Sequence, residues 1–294
     1  MPPSVDDDQG GTRITVTCHE SDGWNEGVRD VGPIVIDIDP VALHLGHFTV
    51  QWYGVGIAAA IAAGFSLSLR EAKRKGISQD DVYGLGVWAV IAGIVGARLL
   101  HVIDYWSFYL ANPLSVFSIQ GGGLAIFGAI LGGAAAAVVY TWRRRLSVGR
   151  MLDTAAPGLI LGQAIGRIGC IINGDAVGAP TDLPWGFVYT NAGAMAPTLG
   201  DPYLPTQVYE MVLDLAILGF LWWARKRVHV DGLLFLIYLS LYSAAKFTIS
   251  FWREEAIFLF GLKEAQVVAL AAIVFAVVMA VRLLRTARAQ GATA

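Results

Sequence analysis

From residue 48 onward the chain alternates long apolar windows with short polar connections. The windows fall near 48–69, 82–104, 121–140, 152–173, 207–224, 232–252 and 264–284. Each approaches the roughly 20 residues a helix needs to cross the hydrocarbon core of a bilayer. The pattern therefore predicts an all-α polytopic membrane protein with seven transmembrane helices. The fourth window is the most broken, because Pro157 and several glycines interrupt it. Ahead of the first window, residues 1–40 hold nine acidic and two basic side chains. They read as a polar tail, with strand-like stretches at "TRITVTC" and "PIVIDI". An acidic start with no short apolar core after it is not the pattern of a secretory signal. The expected division is a tail over 1–40, a seven-span domain over 41–288 with an extracytoplasmic loop near 174–206, and a short tail over 289–294.

Charge orients this arrangement. Arg70, Lys73, Arg74 and Lys75 follow the first span, and Arg143, Arg144, Arg145 and Arg150 separate the third from the fourth. Arg225, Lys226 and Arg227 follow the fifth, and Arg282, Arg285 and Arg288 end the seventh. By alternation these fourteen cations share one side, while the opposite loops hold Arg253 and Lys263, and the tail adds Arg13 and Arg29. The excess of Lys and Arg on cytoplasmic loops then predicts an N-terminus outside and a C-terminus inside.

Composition agrees: 55% of residues are hydrophobic and 15% charged, against about 25% charged in soluble domains. Nothing resembles the basic footprint of a nucleic-acid binder. Cys18 and Cys170 lie far apart, without metal-ligand spacing or a disulfide framework. Trp52, Trp106, Trp185 and Trp252 fall near outer boundaries, as interfacial belts require.

Three cations remain inside spans: Arg98, Arg167 and Lys246. An ionisable side chain at that depth costs a few kcal/mol or more and marks a functional site by default, with snorkelling to the headgroups as the plainer reading. Their spans run outward, so all three fall in the outer half. Gln163, Arg167, Cys170 and Asn173 form one helical stripe, beside a small-xxx-small run of Gly158, Gly162 and Gly166 suited to close helix approach. Tyr238, Tyr242, Lys246 and Arg253 share a face of the sixth span, and Gln207, Glu210 and Asp214 a face of the fifth. Together they predict an outer-leaflet cavity for an anionic headgroup, since arginine can grip phosphate with two parallel bonds. Interhelical bonding alone, or an anion pathway of a transporter, are the competing readings. "GGGLAIFG" is discarded as a phosphate loop because no strand precedes it.

The motif "GRIGCIINGDAVG", from Gly166 to Gly178, resembles the signature of the bacterial prolipoprotein diacylglyceryl transferase family. Further matches follow in the family's order: "WYG" (Trp52 to Gly54), "GARLLHVIDYW" (Gly96 to Trp106), "GGLAIFG" (Gly122 to Gly128), "PTQVYE" (Pro205 to Glu210) and "YSAAKFTISFWR" (Tyr242 to Arg253). The resemblance implies transfer of the diacylglyceryl group of phosphatidylglycerol to the lipobox cysteine of a preprolipoprotein signal peptide. A thioether forms and glycerol 1-phosphate leaves, at the outer face of a bacterial cytoplasmic membrane. A paralogue that binds anionic phospholipid or lipoprotein precursors without catalysis is the alternative. The resemblance implies catalytic roles for Arg167, Tyr53, Tyr242 and Lys246. Contacts to phosphatidylglycerol are expected from Arg167, Asn173, Asp175, Gly178, Gly122, Gly123, Gln207, Glu210, Arg253 and Arg98.

The chain departs from the family pattern at several positions. Phe127 stands where many members have histidine, Lys246 where arginine is usual, Ser250 where an acid is common, and Asp175 in place of Glu. The proton acceptor is thereby left open among His101, Asp175, Glu210, a tyrosine, or no protein group at all, with the thiol losing its proton to water or to the substrate phosphate.

Overall fold

A computed structural model describes residues 32–45, 48–117, 123 and 125–291; the "TRITVTC" stretch, Gly122 and residues 292–294 lie outside the described residues. Eight α-helices occur in this range: α1 (Trp52–Lys75), α2 (Gln79–Asp104), the short α3 (Trp106–Ala111), α4 (Ile126–Arg143), α5 (Val148–Asn173), α6 (Thr206–Ala224), α7 (Leu233–Ile249) and α8 (Glu264–Gly291). All except α3 are long and apolar enough to cross a membrane, making seven candidate spans. Their outward faces are apolar: Val87, Trp88, Ile91 and Leu99 of α2 are exposed, as are Trp52, Trp106, Trp185 and Trp252. A lipid environment accepts such faces, and helices satisfy their own backbone within it.

The chain is mostly rather than wholly helical. Short strands β1 (Ile34–Ile36), β2 (Val41–Leu45), β3 (Phe48–Gln51), β4 (Phe187–Tyr189), β5 (Pro202–Tyr203), β6 (Ile257–Leu259) and β7 (Leu262–Lys263) form three small sheets. Two helices, α1 and α4, start later than their hydropathy windows by four and five residues. Residues 48–51, expected at the start of the first span, are β3, paired antiparallel with β2; a short apolar run does not distinguish strand from helix. The third window, expected from 121, becomes helical only at Ile126, after Gly123 at φ +79 and an extended Ala125. Conversely, α5 runs unbroken through the buried Pro157. A membrane helix tolerates proline where neighbouring groups re-satisfy the freed backbone.

Two compact units make up the chain. The first comprises residues up to 60 with 162–215 and 243–271; the second comprises 61–161, 216–242 and residues from 272 on.

In the first unit β1 pairs parallel with β4, and β4 antiparallel with β5. This sheet buries Ile36, Phe187 and Tyr189 against Ile171, Val177 and Val208. The end of the acidic tail is thus tied to the 174–206 loop by backbone pairing. Within the same unit, Gly162 approaches α1 so closely that an added Cβ would lie 3.2 Å from the Ala60 carbonyl oxygen.

In the second unit α2 packs along α4, where Gly96 and Gly128 each leave room for the other's carbonyl. Gly158 of α5 meets the Gly64 carbonyl and Ser68 of α1 in the same way, whereas Gly166, the third member of the small-residue run, faces open space. Asp153 of α5 accepts hydrogen bonds from the backbone N–H groups of Gly232 and Phe235, both at 2.8 Å, and so caps the start of α7. Fully buried Glu71 pairs with Arg74 and Arg225. All fourteen loop and C-terminal cations named above belong to this unit.

Candidate active site

The first unit builds its polar centre from the ends of three helices. α5 stops at Asn173 because Gly174 turns left-handed at φ +75, with its N–H bonded back to the Cys170 carbonyl at 2.9 Å. The following residues are stitched to the start of α6. Gln207 Nε2 donates to the Asp175 carbonyl and Thr206 Oγ1 to the Ala176 carbonyl, both at 2.7 Å. Gly178 N–H bonds the Leu204 carbonyl at 2.9 Å and Ala179 N–H the Trp252 carbonyl at 2.8 Å. Gly178 sits where an added Cβ would be 2.8 Å from Leu204, Thr206 and the Trp252 carbonyl. A larger residue would force apart the joint between α6 and the turn after α7.

This joint brings three cations to one carboxylate. Glu210, buried on α6, is ion-paired with Arg167 of α5. Its Oε2 also takes Lys246 Nζ of α7 at 2.6 Å, and its Oε1 lies 3.9 Å from Arg253 Nη1. Arg253 is held by Glu255, Nε to Oε1 at 3.2 Å. Lys263 donates to the carbonyls of Ser250 and Arg253, which fixes the turn carrying Arg253. The side chains of Arg167, Lys246 and Arg253 stay 16%, 23% and 25% exposed, against 5% for Glu210. Glu255 against Arg253, and Asp214 interacting electrostatically with Arg167 and Lys246, add further negative charge to the cluster, and low surrounding polarity strengthens these attractions.

Acceptors without partners border the cluster. Among the described residues, Asp175 Oδ1, Gln207 Oε1 and Asp214 Oδ2 are buried with no hydrogen bond. A buried orphan acceptor carries a desolvation penalty of about 1–3 kcal/mol, relieved when a ligand donor arrives. Nearby, Tyr189 donates its hydroxyl to the Ile171 carbonyl at 3.0 Å. Burial, and then the Asp175 carboxylate, push the Tyr189 phenol well above the ordinary tyrosine range, so it keeps its proton and acts as a structural donor. Asn173 reaches Met195, Nδ2 to Sδ at 3.1 Å, while Met195 N–H bonds the Asn173 carbonyl at 2.9 Å.

Of the residues singled out from the sequence, Arg167, Lys246, Arg253, Glu210, Gln207, Asn173, Asp175 and Gly178 all fall in this unit. Tyr53 does too, its ring packed against Gly169. Tyr242 stacks on Tyr238 with centroids 5.9 Å apart, at the edge of the second unit. Arg98, His101 and Gly123 form a separate group in that second unit. Arg98 donates from Nε to the Val116 carbonyl at 2.8 Å, from Nη1 to Gly123 at 2.9 Å, and from Nη2 to Ser115. It also lies 5.2 Å from the Tyr109 ring centroid, and His101 stacks on Tyr105 at 4.6 Å. Arg98 therefore ties Ser115 and Val116 to Gly123 through their backbone carbonyls.

Glu255 was not anticipated from the sequence. It places an acid beside Ser250, Oγ to Oε2 at 3.4 Å, and against Arg253. In the run "WREE" it looks like an ordinary solvated charge, and only its position two residues beyond Arg253 hints at pairing.

The family model of prolipoprotein diacylglyceryl transferases matches residues 40–282 of the chain. A relative from Dehalococcoides mccartyi, named phosphatidylglycerol–prolipoprotein diacylglyceryl transferase, is 41% identical over 251 residues, covering 85% of this chain and 95% of the relative. Proteins of the same name from Thermosynechococcus vestitus and Clostridioides difficile are 41% and 36% identical, over 79% and 81% of this chain and 87% and 92% of their own lengths.

Proposed function

The chain belongs to the prolipoprotein diacylglyceryl transferase family, and on that premise we propose that it moves the diacylglyceryl group of phosphatidylglycerol onto the lipobox cysteine of preprolipoproteins. The observation that carries this reading is the convergence of Arg167, Lys246 and Arg253 on the single buried carboxylate of Glu210. Their several guanidinium and ammonium N–H donors suit the phosphate of an anionic lipid. The orphan acceptors of Gln207 and Asp214 suit hydroxyl donors on its glycerol headgroup.

In the reaction the substrate cysteine thiolate, the nucleophilic form of the side chain, attacks the phosphate-bearing glycerol carbon. A C–S bond forms as the C–O bond to phosphate breaks, and glycerol 1-phosphate leaves with the electron pair. Arginine has five N–H donors, so Arg167 can stay paired with Glu210 and still bind the departing phosphate. Lys246 adds a point charge in place of a bidentate fork. Among the acceptors considered for the thiol proton, Asp175 is favoured, because its Oδ1 is buried without a partner. Asn173 and Gly178 shape the loop that carries it. Tyr53, in the same unit as the Glu210 cluster and packed against Gly169, flanks the lipid. The family resemblance implies a reaction that requires no metal or organic cofactor.

The fourteen loop and C-terminal cations fall in the unit that lacks the Glu210 cluster. By the positive-inside rule this supports an outside N-terminus, a cytoplasmic C-terminus and a reaction centre at the outer leaflet of a bacterial inner membrane. There the bilayer delivers both the lipid and the signal peptide.

Complementation tests the reading. The wild-type gene restores growth to a strain depleted of its own transferase, and Arg167→Ala does not. Failure of the wild type, or rescue by Arg167→Ala at equal expression, contradicts it.

A further inference from the structure

A second concentration of cations lies within the second unit, where the connections α1–α2, α4–α5 and α6–α7 come together. A cavity of about 220 Å³ there is lined by Arg74, Lys75, Arg150, Arg225 and Lys226, with His229 at its edge. A water molecule's share of liquid volume is about 30 Å³, so the space admits a phosphate group with its contacts.

Fixed partners hold the arginines. Buried Glu71 pairs with Arg74 at 2.9 Å and with Arg225, and Arg74 Nη2 donates to the Arg225 carbonyl at 3.2 Å. Arg225 also lies flat over the Trp222 ring, 3.3 Å from its centroid. Arg150 pairs with Asp231 at 3.2 Å. Asp153, the other acid on the wall, spends both carboxylate oxygens capping α7. Lys75 and Lys226 differ: neither makes a hydrogen bond or close ion pair among the described residues, and Lys75 interacts with the Asp153 and Asp231 carboxylates only at longer range. Five cations thus face Glu71, Asp153 and Asp231, leaving two positive charges uncompensated. Guanidiniums locked in place beside two uncommitted ammoniums make a preorganised receptor for a compact anion.

We propose that this cavity is a binding site for a phosphate group, distinct from the Glu210 cluster and sharing no residue with it. The chemistry fits either the headgroup of an anionic phospholipid in the adjacent leaflet or a free phosphate. The site does not depend on the transferase reading.

Native mass spectrometry and thermal unfolding of the full chain separate the two sources. Inorganic phosphate is titrated into phosphatidylcholine nanodiscs in one arm, and phosphatidic acid is doped into the same nanodiscs in the other. Stabilisation or an added ligand in the lipid arm alone identifies a headgroup site, and in the phosphate arm a free-phosphate site. In either case Lys75→Ala/Lys226→Ala weakens binding about tenfold or more, as loss of two charge-assisted contacts requires, while Arg167→Ala leaves it intact. The unfolding curve without ligand checks that the double variant folds, and Lys226→Ala alone, checked in the same way, repeats the test with a smaller perturbation. No response of the wild type in either arm, or an undiminished response in both lysine variants, overturns the proposal.

Discussion

Glu210 is the residue on which the site turns. Removing its charge takes from Arg167, Lys246 and Arg253 the carboxylate they share, and breaking a buried ion pair costs about 3 kcal/mol or more. Glu210→Gln is therefore expected to lower the melting temperature in detergent. Added phosphatidylglycerol should raise it further than in wild type, because the lipid phosphate supplies the missing negative charge. Equal ligand shifts in the two proteins would contradict that role. Asp175→Asn tests the proton acceptor: kcat should fall about 10²-fold or more with KM little changed, whereas an unaltered kcat removes Asp175 from the chemistry. The sequence marks Arg167 and Lys246 by their depth in apolar windows, and helical spacing puts Glu210 on the right face of its helix. It does not reveal that α5, α6 and α7 meet at Glu210, because distance between helices is set by packing that no local pattern encodes. Phe127 and Ser250 read as losses, yet Glu255 supplies an acid beside Ser250.

At the scale of elements, hydropathy places every span, and its errors fall at the ends. β3 and the late start of α4 arise where strand pairing and a left-handed glycine decide the backbone. Pro157 deceives in the opposite sense, since a buried membrane helix absorbs it. The joint between α5, α6 and the turn after α7 depends on Gly178 having no side chain. Gly178→Ala should destabilise by about 1–3 kcal/mol through overpacking, read as a lower midpoint of thermal unfolding; an unchanged midpoint would show that the joint relaxes freely. Asp153→Ala removes the cap on α7 and should cost about 1–2 kcal/mol, with faster amide exchange at Gly232 and Phe235 as its local signature. Such a cap, supplied by a different helix, is invisible to a reading that looks for it in the residues just before α7.

For the whole molecule, charge distribution is the informative property. The fourteen flanking cations, which the positive-inside rule assigns to the cytoplasmic side, all belong to the second unit. Single cysteines placed at Thr190 and at Ser147 should therefore label from the outer and the cytoplasmic side respectively, and the reverse labelling would invert the assigned topology. The central claim is chemical, and it is tested most directly by incubating the purified chain in phosphatidylglycerol proteoliposomes with a lipobox peptide. The account predicts that the peptide gains the mass of a diacylglyceryl group on its cysteine, that glycerol 1-phosphate appears in equal amount, and that Arg167→Ala forms neither. A peptide that stays unmodified with folded wild-type protein, or is modified equally by Arg167→Ala, would contradict it.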